Sequence, residues 1–196
     1  CRSLTDISIP DSVASIGWGA FSKCSSLASL TLPDSVAKIG KRAFQDCTSL
    51  TAVKLSKKLK KLDDWTFYGC KGLKNITIPK SVTSIGYRAF HNCQALKNIV
   101  IPSKVTSIGD FAFYQCKKLT KAEIGKNVAS IGRGAFSRCA KLGTITIRSG
   151  KLKTVSGQAL EGISASAKIK VPAKKLTAYR KLLSGKGQGS KVRITS

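Results

Sequence analysis

Acidic residues are scarce in this chain. Nine Asp and Glu stand against 35 Lys and Arg, a formal charge of +26 over 196 residues. Histidine is scarcer still, with His91 alone, and among the scattered acids only Asp63 and Asp64 adjoin. No H-E-x-x-H pair, G-x-S-x-G elbow or P-loop occurs, so the familiar sets for metal-assisted hydrolysis, acyl transfer and nucleotide binding are missing. Asp63–Asp64 falls at a turn, and the reading is of a chain with no catalytic residues and no cofactor. No run of about 18 apolar residues exists, which excludes an ordinary membrane-spanning helix. The opening CRSLTDISIP has neither a basic start nor an apolar stretch, so it does not read as a secretory leader. It reads as the middle of a repeat, and a piece excised from a longer protein is expected. An uncovered first coil would then favour end-on self-association.

Hydrophobic residues make up 42% and charged residues 22%, a globular composition. The cysteines reveal how it is organised. They fall at Cys1, Cys24, Cys47, Cys70, Cys93, Cys116 and Cys139, each gap being 23, and none lies outside the series. Leu4, Leu27, Leu50, Leu73, Leu96, Leu119 and Leu142 form a second column. Phe21, Phe44, Phe67, Phe90, Phe113 and Phe136 form a third. The unit is C-x-x-L-x-x-I-x-I-P-x-x-V-x-x-I-G-x-x-A-F-x-x, counted below from the cysteine as position 1. Self-similarity of this kind marks a solenoid, because one unit cannot bury its apolar residues while stacked units can.

L-x-x-I-x-I alternates as a half-buried strand does. Pro10, Pro33, Pro79 and Pro102 end it, since proline cannot donate to a ladder. V-x-x-I-G reads as a second extended piece, with Gly17, Gly40, Gly86, Gly109 and Gly132 expected at positive φ. A-F-x-x-C suits one helical turn with Ala, Phe and Cys facing inward. Ser56, Gly125 and Arg148 replace the proline, Asp63 the glycine and Thr66 the alanine. After Ile147 the register slips by one residue and Ile163 takes the place of cysteine. The expected division is a solenoid over 1–172, in about seven to eight coils, and a C-terminal cap over 173–196. In the cap, AKKLTAYRKLL forms an amphipathic helix presenting Leu176, Tyr179, Leu182 and Leu183, and KVRIT a short last strand.

The unit resembles the BspA-like (Treponema pallidum-type) leucine-rich repeat over about residues 1–172. The ending KIKVPAKKLTAYRKLLSGKGQGSKVRIT is also similar to the C-termini of repeat-bearing surface proteins of gut bacteria. The resemblance implies a right-handed curved leucine-rich-repeat solenoid: a parallel β-sheet on the concave face, short strands and helical turns elsewhere. It also implies a secreted or cell-surface location and a role in adhesion or host-protein binding. It transfers no ligand-contact residue.

Candidate sites are read against plainer alternatives. In a secreted protein seven cysteines suggest disulfides. Their once-per-coil inward spacing suggests instead a ladder of reduced, buried thiols, with parallel Cβ vectors that suit an S–S bond poorly. No C-x-x-C spacing points to zinc. Positions 19 and 22, opposite the inward face of a helical turn, carry Trp65 and Tyr68, Arg88 and His91, then Phe111 and Tyr114, with Tyr87 bordering them. This would be an outward aromatic grid with Arg88 sandwiched between Trp65 and Phe111. It docks a sugar or protein, or it merely ties neighbouring coils together. Lys54, Lys74, Lys97 and Lys121 would line the concave sheet. A basic run after the strands, Lys57, Lys58, Lys60, Lys61, Lys80, Lys104 and Lys126, could track a polyanion. It could equally be a solvated surface. The function expected is a non-catalytic binding or adhesion module for a host protein or glycan, without specific nucleic-acid recognition. The alternatives are a spacer with no ligand and an electrostatic binder of wall polymers or acidic glycans.

Overall fold

The computed structural model describes residues 1–196 as a parallel-strand solenoid of about eight turns with one short C-terminal helix. The strands alternate between two rows. One row holds pairs of residues: β1 (Ser15–Ile16), β3 (Lys38–Ile39), β5 (Lys61–Leu62), β7 (Ser84–Ile85), β9 (Ser107–Ile108), β11 (Ser130–Ile131) and β13 (Thr154–Val155). The other row comprises β2 (Ser29–Thr31), β4 (Ala52–Lys54), β6 (Asn75–Ile76), β8 (Asn98–Ile101), β10 (Lys121–Ile124), β12 (Thr144–Ile147) and β14 (Lys168–Lys170). Pairing is parallel and one unit apart, as Lys121 opposite Asn98 and Thr144 shows. A 3-10 turn (Ala173–Lys175), α1 (Leu176–Leu183) and β15 (Arg193–Thr195) close the chain, β15 adding to β14.

The repeated columns form a single core. Phe44, Phe67, Phe90, Phe113 and Phe136 are fully buried, and with Phe21 they stack ring on ring at 5.2–5.5 Å. All seven cysteines are free, and all but Cys1 are buried. The thiols also hydrogen-bond. Cys47, Cys70, Cys93, Cys116 and Cys139 each donate Sγ–H to the phenylalanine carbonyl of the preceding coil at 3.0–3.3 Å. Burial pushes the Cys47 thiol up to about 12, and raises Cys70, Cys93 and Cys116 as well. These groups stay protonated and unreactive.

Two local expectations fail. The A-F-x-x-C segment is a run of tight turns, with no helix. Its position 19 is left-handed at Arg42, Trp65, Arg88 and Phe111 (φ 52–59°), and position 23 at Asp46, Asn92, Gln115 and Arg138 (φ 56–61°). Third residues of turns such as 40–43 and 44–47 need that geometry. A neighbouring coil enforces it. The N–H groups of Trp65, Phe67 and Gly69 donate to Tyr87, Ala89 and His91 carbonyls at 2.8–2.9 Å, and the same three rows recur along the stack. A helix would have turned those donors back on its own segment.

The glycines expected at positive φ are not there: Gly17, Gly40, Gly86, Gly109 and Gly132 all have ordinary φ. Four of them serve close approach. A Cβ on Gly109 would sit 2.7 Å from the Gly86 carbonyl carbon and 2.8 Å from the Tyr87 nitrogen, and Gly40 meets the coil before it in the same way. The third coil carries Asp63 in this column, and there the short-strand row breaks into β1–β3 and β5–β7–β9–β11–β13. Gly40, Gly86, Gly109 and Gly132 donate N–H to the preceding coil at 2.8–2.9 Å, whereas Asp63 makes no such bond.

The C-terminal segment lies over the last coil. Tyr179 and Leu183 of α1 are buried in the common core. The Tyr179 hydroxyl accepts from the Leu152 N–H at 2.9 Å and donates to the Ser149 carbonyl at 3.1 Å. Leu160 N–H donates to Lys186, as its counterparts do to the next coil.

Candidate functional site

Beyond the first coil the repeated columns point inward and the variable positions meet solvent; two of the surfaces they form are the turn edge and the outer face of the longer-strand row. At the turn edge, Trp65, Tyr68, Tyr87, Arg88, His91, Phe111 and Tyr114 do come together, but none is fully exposed. Tyr68, His91 and Tyr114 stack at 4.7 and 4.8 Å. Trp65 meets Tyr87 edge-on at 4.9 Å, and Phe111 meets Tyr87 and Tyr114 likewise at 6.2 and 5.7 Å. The expected sandwich is displaced. Arg88 lies over Tyr87 and Phe111 at 4.9 and 5.5 Å, while Trp65 shares Arg42 with Trp18 at 4.8 and 5.9 Å. The left-handed turn at position 19 lays its side chain along the stack, onto position 18 or 19 of the next coil. Trp18, Arg42 and Arg138, which sits over Tyr114 at 5.5 Å, therefore extend the stripe. Sequence reasoning missed them, though Trp18 shares position 18 with Tyr87. Arg88 Nε and His91 Nδ1 are buried without partners. Burial, then the charge of Arg88, lowers His91 to about 4, so the ring is neutral at physiological pH.

On the sheet face, strand residues alternate between core and solvent. Lys54 and Lys121 point outward from β4 and β10, three coils apart, and Lys74 and Lys97 stand exposed just before β6 and β8. The run after β4 is partly neutralised. Lys57 binds Asp34 through its N–H at 2.9 Å and its ammonium at 3.5 Å, and Lys61 binds Asp63 at 2.8 Å. The Lys57 backbone hydrogen bond holds Asp34 below its usual carboxylate range. Lys58 and Lys60 stay exposed without an acidic partner.

The same face holds a groove of about 730 Å³ across coils four to seven. It straddles the place where the longer-strand row breaks, between β6 and β8. Val100, 58% exposed, lines it together with Asn75, Thr77 and Asn98. Lys80, Lys104 and Arg148 rim it, and Arg148 holds Glu123 at 2.9 Å. The sequence shows these positions as outward, but nothing in it signals the depth between them. Nowhere do three or more His, Cys, Asp or Glu side chains converge as a metal site would require.

Known proteins agree with this geometry. Solved structures with the same architecture include a leucine-rich repeat protein from Bacteroides ovatus, 27% identical with TM-score 0.70, covering 93% of this chain and 55% of that one. The leucine-rich repeat protein of T. pallidum is 26% identical with TM-score 0.70, covering 92% and 80%. A leucine rich cell surface protein from Faecalibacterium prausnitzii is 28% identical with TM-score 0.58, covering 82% and 59%. The chain thus spans about half the length of the first of these. No protein of curated function matches the sequence. The profile of the BspA type leucine rich repeat region matches in six copies, over residues 1–106 and 66–186, and the chain belongs to that family.

Proposed function

We propose that this chain is a non-catalytic recognition module of a bacterial cell-surface or secreted protein, and that it binds a host protein or glycan through its longer-strand face. The observation that carries the reading is the groove around Val100, a concavity of ligand size with an exposed apolar side chain at its centre and polar and basic side chains around it. The F. prausnitzii relative is a cell surface protein, which supports the location. We infer that the turn-edge stripe ties coils together, because its rings spend their faces on one another. Trp65→Ala, Arg88→Ala and Phe111→Ala together should lower stability and spare binding. Lost binding with an intact fold returns the site to the stripe.

The test is capture from a panel of host proteins and glycans at low and high salt. A target retained at both supports the reading, and no capture at all leaves a spacer. The net charge of +26 favours a second reading, an electrostatic polyanion binder. Capture confined to polyanions and lost steeply with salt would select it.

A further inference from the structure

We propose that the Val100 groove takes a short acidic peptide segment bearing an apolar side chain at its centre, and this rests on the sheet-face reading above. The groove lies in mid-chain, built by coils four to seven. Its charge is one-sided. Lys80 and Lys104 have no acidic partner within 4 Å, and Glu123, the one acid present, is held by Arg148. Such a field draws carboxylates.

The floor argues against charge alone. Val100 is one of only two large hydrophobic side chains strongly exposed on the whole molecule. A purely anionic ligand would leave it wet, whereas a leucine or isoleucine side chain would cover it. No aromatic ring lines the groove, so a pyranose has no flat face to stack on. Two amides stand ready for a peptide main chain. Asn75 has no partner within the protein, and Asn98 Oδ1 accepts from Thr120, leaving its NH2 free to donate. Four coils at ~4.8 Å span roughly 14 Å, the length of four to five residues of extended chain. Central side chain on Val100 and flanking carboxylates toward Lys80 and Lys104 is the arrangement this geometry assigns.

The probe is a fluorescein-labelled peptide Glu-Glu-Leu-Glu-Glu, titrated by polarisation at 0.15 M salt. Replacing its leucine by serine should weaken binding at least fivefold. Val100→Asp should weaken it at least tenfold, and so should Lys80→Glu with Lys104→Glu. The same charge change at a distance, Lys153→Glu with Lys191→Glu, should alter it less than twofold. All five positions are exposed, and unchanged melting curves verify the fold. An equal response to the remote pair, or indifference to the serine exchange, overturns the assignment. If panel targets are captured and Val100→Asp leaves them untouched, the groove assignment falls and the module reading stands. If the peptide binds as described and the panel captures nothing, the groove stands and the host-target reading falls.

Discussion

Gly109→Ala puts one methyl group between two coils. The new Cβ would lie 2.7 Å from the Gly86 carbonyl carbon and 2.8 Å from both the Gly86 oxygen and the Tyr87 nitrogen. Ordinary contact begins near 3.4 Å, so the coils must part by about 0.7 Å. All three obstructing atoms are backbone, and no flexible side chain can swing aside. Overpacking of this kind costs about 1–3 kcal/mol. Parting the coils also weakens the Gly109 N–H to Ile85 carbonyl bond, now 2.8 Å, at about 1 kcal/mol. The sum is roughly 2–4 kcal/mol, or a fall in Tm of about 4–16 °C for a domain of this size. Gly143→Ala is the control. Its Cβ would meet nothing closer than 3.9 Å and its φ is ordinary, so a gain of up to about 1 kcal/mol is expected. Asp63→Gly is the converse. It should raise hydrogen-exchange protection at position 63, where the row is broken now. Urea unfolding followed by circular dichroism reads the first two, and a difference below 0.5 kcal/mol between them, as an order of magnitude, would refute close approach as the reason for this column.

Four further outcomes follow from the core, the turn-edge stripe and the C-terminal segment. At pH 8 a thiol reagent should modify Cys1 quickly and the six buried cysteines only on unfolding. The raised thiols of Cys47, Cys70, Cys93 and Cys116 contribute stability that is whole below pH 9 and falls as pH rises toward 12, because the unfolded chain ionises first. His91 is depressed, so its contribution is present above pH 6.5 and lost as pH falls through about 4. The urea midpoint should drop across that window, and His91→Phe, which keeps a ring in the stack, should flatten the drop. Tyr179→Phe leaves the Leu152 N–H and the Ser149 carbonyl without their partner, at a cost of about 1–3 kcal/mol, measured as a lower unfolding midpoint with little loss of core volume.

The inward columns were legible because a 23-residue period returns each side chain to the same place in every coil: Leu50, Leu73, Leu96 and Phe67 are buried where the pattern put them. The α1 face with Tyr179 and Leu183 was legible from its spacing as well. Backbone geometry was not. Trp65, Arg88 and Phe111 carry no residue-type signal for a left-handed φ, since rows of hydrogen bonds to another coil impose it. The glycine column announced itself, but its cause lies in the neighbouring coil and not in the turn. The stripe was half legible: its aromatics are visible as a cluster, while Arg42 against Trp18 and Trp65 depends on how the turn lays a side chain along the stack. The groove was illegible, because the pattern marks Asn75, Asn98 and Val100 as outward but carries no sign of the depth between side chains on neighbouring coils.

The hydrogen bonds between coils do not all point the same way. At the turns, Phe67 donates forward to Ala89; on the short-strand side, Gly86 donates backward to Leu62. Peptide dipoles on the two flanks therefore oppose each other along the stacking axis, whereas those of an α-helix add. An array built this way accumulates little axial polarity as it lengthens. Gain or loss of a whole coil would leave the electrostatics of both ends nearly as they were.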